Sequence, residues 1–275
     1  MKAVRITLQI IVFCLLTVLT QIGGVVYVIS LTTQGFIVRR LSQALFKGLL
    51  KFTWFIGLYL AATFFIVPLL AKPLGRVPMP VLQQGSIKPL NIITCILNRH
   101  YVRPQLKKAV VDVSNQMVIK YPGTIVSYLD AGFPFINKFP LFPHLSHNDG
   151  KKIDLAFFYT DSKTGVQTNT TPSPIGYGIS EAPAPGEINM AEVCANQGYI
   201  MYSMLSKLVP QGNKQYYVFD PARTKDMVLH FASNKSIGKI FIEPHLKIRM
   251  HLTSDKIRFQ GCRAVRHDDH VHIQL

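Results

Sequence analysis

The first 71 residues contain no aspartate or glutamate. Within them, residues 8–31, from Leu8-Gln9-Ile10-Ile11-Val12-Phe13-Cys14 to Leu31, carry no charge. Residues 52–71, from Phe52 and Trp54 through Phe64, Phe65 and Leu70, form a second such stretch. Each has the length of a membrane span. Inside lipid every backbone polar group needs an internal partner, which leaves the helix as the open choice. Residues 1–71 are therefore expected to be a membrane anchor of two transmembrane helices, with Pro68 tolerated near the end of the second. Lys2 and Arg5 would also suit a signal peptide, but no small-x-small site closes a short apolar core.

Two spans would place both flanks on one side. Lys2, Arg5, Lys72 and Arg76 on the flanks balance Arg39, Arg40, Lys47 and Lys51 between the spans, four against four. That balance gives no orientation. All 14 acids lie in residues 72–275 beside 24 basic residues, a formal +10. A basic surface favours anionic partners. No basic helix with interleaved aromatics and no zinc-finger spacing is present, so no nucleic-acid partner is expected.

Residues 72–90, with Pro73, Pro78, Pro80 and Pro89, discourage helix and are expected to be a linker. Residues 91–275 then form the globular domain. Apolar residues at 106, 109, 110, 113 and 117 predict a helix over 105–120, with Pro104 at its start. Residues 124–129 read as a strand and 133–143 as an irregular rim rich in Pro and Phe. A long loop is expected over 160–189, of the kind that often forms a substrate rim. A helix follows over 190–209, and another opens at Asp220-Pro221. Lys239 to Ile242 is a strand ended by Pro244, and 245–252 is helical. Cys14, Cys95, Cys194 and Cys262 form no Cys-x-x-Cys pair. One disulfide, for example Cys194 to Cys262, is open to the chain in an oxidising compartment.

The chemistry gathers at two places. In His267-Asp268-Asp269-His270-Val271-His272-Ile273 the alternation has period two, the mark of a half-buried strand. His270 and His272 then share one face while Val271 and Ile273 enter a core. Two imidazoles a strand step apart can share a cation, or one can bind it while the other moves protons. Upstream, His147 and Asp154 flank the Asp149-Gly150 turn. Ile153, Leu155 and Phe157 take one face of the following strand, and Asp154, Ala156 and Phe158 the other. An aspartate in so apolar a strand is costly to bury unless something positive meets it. His, Asp and a distant His suit zinc, and three protein ligands leave its fourth position open. His100, His144, His230 and His251 have no partner spacing and read as surface or packing residues. His245 either lines the cleft or starts a helix.

Ser146-His147-x-x-Gly150-x-x-x-Asp154, followed far downstream by His267-x-x-His270-x-His272, resembles the motifs of the zinc peptidases grouped with lysostaphin, the D-Ala-D-Ala metallopeptidases and the hedgehog domain. Within that group the likeness is greatest to the penicillin-insensitive murein endopeptidases. It covers roughly residues 120–275 and includes Phe241-Ile242-Glu243-Pro244. The resemblance implies an α+β fold, a central antiparallel sheet with flanking helices carrying a Zn2+ site. His147, Asp154 and His272 would be the metal ligands, with His270 and His267 as catalytic residues beside the bound water. The residues alone leave the roles of His270 and His272 exchangeable. A zinc ion lowers the pKa of bound water to about 7 and polarises a carbonyl. His270 would then serve as base and His267 at the oxyanion or leaving amine, with Asp268 and Asp269 orienting the imidazoles.

The expected function is a membrane-anchored peptidase cutting peptidoglycan peptides, as a D,D-endopeptidase or a carboxypeptidase, from the outer face of the cytoplasmic membrane. The alternative is a non-catalytic module of the same fold that binds cell wall or a protein; such a binder would not need His270 and His267. Both Met1 and Leu275 would face outwards.

Overall fold

The computed structural model describes residues 2–39, 43–142 and 144–275. Its N-terminal part contains three apolar helices, α1 (Lys2–Thr20), α2 (Gly23–Val38) and α3 (Ala44–Leu74, whose last turns pass through π and 3-10 geometry). α1 and α3 are long and apolar enough to cross a membrane, while α2 is apolar but shorter. The expected continuous span over 8–31 is thus corrected. Gln21 takes a left-handed φ of +68° and breaks it. The chain then folds back so closely that a Cβ on Gly24 would overlap Thr17 Oγ1 and the Phe13 carbonyl. A glycine there lets α2 lie close on α1. α2 is in turn antiparallel to α3: Ile22 and Val26 cluster with Tyr59 and Val67, while Trp54 Nε1 donates to Thr33 at 2.9 Å. A hairpin inside an apolar run leaves hydropathy unchanged, so the sequence concealed it.

Residues 72–90 are not a linker. They supply β1 (Val77–Pro78) and β2 (Ile87–Pro89), which pair with strands of the domain. Pro78 and Pro89 do lie in extended chain, which is what an edge strand requires and where Pro is tolerated, whereas Pro73 sits in the closing 3-10 turn of α3. The chain continues through β3 (Tyr101–Val102), β4 (Val126–Tyr128), β5 (Lys152–Ala156), β6 (Tyr159–Asp161), β7 (Gln167–Thr168), β8 (Tyr217–Phe219), β9 (Lys239–Phe241), β10 (Ile257–Arg258) and β11 (His270–Gln274). The main sheet runs β10-β9-β11-β5-β4-β2. Its centre is antiparallel, as expected, but β10 with β9 and β2 with β4 pair in parallel, so the sheet is mixed. The domain is α+β.

Leu155, Ile153, Val271 and Ile273 form the core face of the central strands. Against them pack Leu106, Val110, Val113 and Met117 of the helix Pro104–Lys120 and Met227, Val228 and Phe231 of the helix Pro221–Ser233. The first helix starts at Pro104; the second is capped by Asp220, whose side chain accepts from the Arg223 amide. With the helices on this face, the other face of β5 and β11 is left for polar residues.

Two further expectations change. The loop over 160–189 begins with the β6–β7 hairpin, whose turn is held by Asp161 accepting from the Lys163 and Thr164 amides. So short and polar a hairpin carries no apolar period. The helix over 190–209 is broken into Met190–Asn196, a 3-10 turn Ile200–Ser203 and Met204–Leu208, with Gly198 left-handed at the first break. Cys194 and Cys262 are joined in a disulfide across 68 residues, while Cys95 is free and buried and Cys14 free and exposed.

Candidate metal centre

Register decides the centre. In the β11–β5 ladder His272 faces Asp154, His270 faces Ala156, and Val271 faces Leu155. Directly opposed residues share a face, so Asp154 and both imidazoles stand away from the helices. The Gly150 turn brings His147 over them. Gly150 is left-handed, with φ +69°, and a Cβ there would overlap the buried guanidinium of Arg76. Glycine is therefore required twice over.

Three donor atoms meet. His147 Nε2 lies 3.1 Å from His272 Nδ1 and 3.2 Å from Asp154 Oδ1, and His272 Nδ1 lies 2.9 Å from the same oxygen. A tetrahedral ion with bonds near 2.0–2.1 Å holds its ligand atoms about 3.3 Å apart, so this triangle fits such an ion. All three residues are buried, and among the described residues Asp154 Oδ1 has no hydrogen-bond partner. His147 Nδ1–H donates to the Ala131 carbonyl at 2.7 Å, which fixes the tautomer with a lone pair on Nε2. Tyr177 donates to Asp154 Oδ2 at 2.8 Å.

His144 also enters the site, and its expected role as a surface or packing residue is corrected. His144, His147 and Asp154 form a buried group able to bind a metal ion, with ligand atoms all within 4.8 Å of one another. His144 Nδ1 lies 3.2 Å from Asp130 and 3.4 Å from Asp154 Oδ2, the oxygen turned away from the triangle. The donors of His147, Asp154 and His272 are closer together, and we take these as the tighter set. Nothing in the local pattern around His144 signals its role. His100 is buried away from the centre, His230 and His251 lie at or near the surface, and His245 Nε2–H donates to the Glu181 carbonyl at 2.7 Å.

His270 and His267 stand beside the triangle. His270 Nε2 is 3.7 Å from Asp154 Oδ1 and has no hydrogen-bond partner among the described residues, while its Nδ1–H is held by Asp269, which also accepts from the Gly178 amide. The His267 ring is 4.9 Å from that of His270 and 5.5 Å from that of His272. Its backbone amide donates to Glu243, which also accepts from Tyr202. Asp269 thus orients an imidazole as expected, whereas Asp268 instead pairs with Arg266.

Burial opposes ionisation of Asp154, but His147 and His270 outweigh it and hold the carboxyl well below its usual range. Burial pushes His272 down to about 4, leaving the neutral imidazole a ligand must be. Burial also disfavours charge on His270, yet Asp154 and Asp269 prevail and push it up to about 9. Burial and then His270 and His272 hold His267 well below its usual value. Burial, with Asp268 nearby, pushes Glu243 up to about 7.

A cavity of about 350 Å³ opens onto these groups, lined by His147, His267 and His272 with Met201, Gln260 and Arg263. The disulfide at Cys262 fixes the loop carrying the last two. Neither a protein-family model nor a curated protein sequence matches the chain.

Proposed function

We propose that the chain is a membrane-anchored zinc peptidase acting on peptidoglycan peptides, with His147, Asp154 and His272 as ligands. The supporting observation is the triangle of donors at 2.9–3.2 Å, open on one side to a cavity. Zinc bound there would acidify a water and polarise a carbonyl. The remaining work falls to the chain. His270, oriented by Asp269, turns Nε2 toward the centre and is the proton-handling group. Asp154 is one source of its raised pKa; a cation held by Asp154 offsets that pull and brings His270 toward the neutral form a base requires. His267 remains neutral in its buried position and faces the same cavity, where it can hydrogen-bond a carbonyl or amine. The motif order resembling murein endopeptidases supports the choice of substrate, and the disulfide suits an oxidising compartment outside the cytoplasm.

Digestion of purified muropeptides by the zinc-loaded and chelated protein tests this reading. Disappearance of cross-linked dimers with appearance of monomers, only when metal is present, supports the endopeptidase. Release of terminal D-Ala alone moves the activity to a carboxypeptidase. Binding of wall without cleavage, equal in wild type and His270→Ala, would establish the binding module instead.

A further inference from the structure

α3 has 31 residues, about 46 Å of helix, roughly 16 Å more than a hydrocarbon core spans. Its C-terminal half is fastened to the domain. Val67 and Ala71 are buried with Tyr101, and Tyr59 donates to the Ile96 carbonyl at 2.6 Å. Asn98, fully buried, donates to the Thr20 carbonyl, Tyr59 and Thr63 at 3.3–3.5 Å. Yet Phe65, Ile66, Leu69, Leu70 and Leu74 remain exposed on the same helix. A surface fit for lipid therefore continues alongside the domain.

The break between α1 and α2 is fastened too, and near the centre. Gln21 Oε1 accepts from the Phe135 and Ile136 amides at 2.9 and 3.3 Å, and Gln21 Nε2 donates to the Ile136 carbonyl. Four residues earlier, the Ala131 carbonyl holds His147. Four residue steps span at most roughly 14 Å. The rim between these points and His147 exposes Ile136 (57%), Phe142 (58%) and Leu145 (54%), with Lys138 exposed among them. Single exposed apolar residues are ordinary. These differ in lying on a segment whose backbone is seated on the turn of an apolar helical hairpin.

We infer that the candidate centre works at the membrane surface: the rim at 135–142 and 144–145 rests in the headgroup layer, and the cavity takes a peptide whose other end is a lipid anchor. The peptide rests on the peptidase reading; the placement does not. Lys138 meets anionic headgroups there, while Ile136 and Phe142 enter the boundary with the acyl chains. A domain held this way serves substrates close to the bilayer and reaches poorly those held far above it.

Two measurements on the full chain in nanodiscs of zwitterionic and anionic phospholipid test this. A nitroxide at Ile136→Cys, in a Cys14→Ser background, should be shielded from an aqueous nickel chelate and accessible to oxygen, as at headgroup depth. Chelate access equal to that of a free label would overturn the placement. The zinc-loaded protein is then given a peptide joined to lipid through polyproline spacers of about 3.1 Å per residue. Cleavage should fall at least tenfold between a spacer of a few residues and one of about fifteen. Cleavage independent of spacer length would overturn the substrate assignment. No cleavage at any length, with the label shielded, would remove the peptidase reading and uphold the surface placement.

Discussion

His272 lies directly across the β11–β5 ladder from Asp154, with its Nδ1 2.9 Å from Oδ1. The contact joins a strand at the end of the sequence to one more than a hundred residues earlier, and His147 closes on both from the Gly150 turn. Under the proposed reading, the pairing would put metal binding in the sheet itself and proton handling two residues along the same strand, at His270.

Metal content separates these roles. His147→Ala, Asp154→Ala and His272→Ala should each lose the zinc that the wild type retains at about one per chain. His270→Ala should keep zinc and lose turnover. A hundredfold excess of zinc over its dissociation constant should stabilise the wild type by about 2.7 kcal/mol, seen as a raised Tm absent from the three ligand variants. Metal analysis after gel filtration checks the assignment, and retention by His272→Ala with loss by His270→Ala would reverse it. The chain used should include residues 72–90, because β2 is an edge of the central sheet.

Tyr177→Phe removes the hydroxyl that donates to Asp154 Oδ2 and accepts from the Asp130 amide. Groups that orient a ligand in this way contribute roughly 10–100-fold to metal affinity. Zinc should bind more weakly by that factor, measured by competition with a chromogenic chelator, while the folded content by circular dichroism is unchanged.

Replacing Cys194 and Cys262 by alanine opens a loop of 68 residues. The chain-entropy estimate for a loop of this size is about 4 kcal/mol of lost stability. A lower denaturant midpoint for the double variant, matched by reduced wild type, would bear this out. An unchanged midpoint would show that packing alone holds the loop carrying Arg263.

His100 offers a pH signature away from the centre. Burial, with Lys107 nearby, pushes it down to about 3 from 6.5. The folded state keeps it neutral, so its contribution is complete above pH 6.5 and is lost as pH falls from there toward 3. The slope is about 1.4 kcal/mol per pH unit for one proton. His267 and His272, both held below their usual value by burial, act in the same direction, so the test is a difference. His100→Leu should lose stability less steeply than wild type between pH 6 and 4 in urea melts.

Topology follows from the hairpin. The start of α1, the end of α2 and the start of α3 share one end, which gathers Lys2, Arg5, Arg39, Lys47 and Lys51, while Lys72 and Arg76 lie at the domain's end. Arg40 lies outside the described residues. The excess of five against two favours the first end inside; if α2 also crosses, the N-terminus would lie inside rather than outside as expected, with Leu275 still outside. Alkaline phosphatase fused after Leu275 should be active, and a fluorescent protein fused at the N-terminus should fluoresce in the cytoplasm. A dark N-terminal fusion would restore the two-span arrangement.

The sequence by itself determined which faces the side chains occupy. Alternation in His270-Val271-His272-Ile273 and in Ile153-Asp154-Leu155 is a local, period-two property, and it places imidazoles and carboxylate opposite the apolar core wherever those strands pair. The helices Pro104–Lys120 and Pro221–Ser233 were legible for the same reason, from period and caps. Only the tertiary structure decided that His144 and Tyr177 join the centre, that 77–78 and 87–89 supply strands to the sheets, and that Gln21 turns an apolar run back on itself. His144 and Tyr177 lie in irregular chain, where no period announces a direction. Their positions are set by Asp130 and Asp154, brought to them by strand register, and hydropathy carries no record of where an apolar helix reverses.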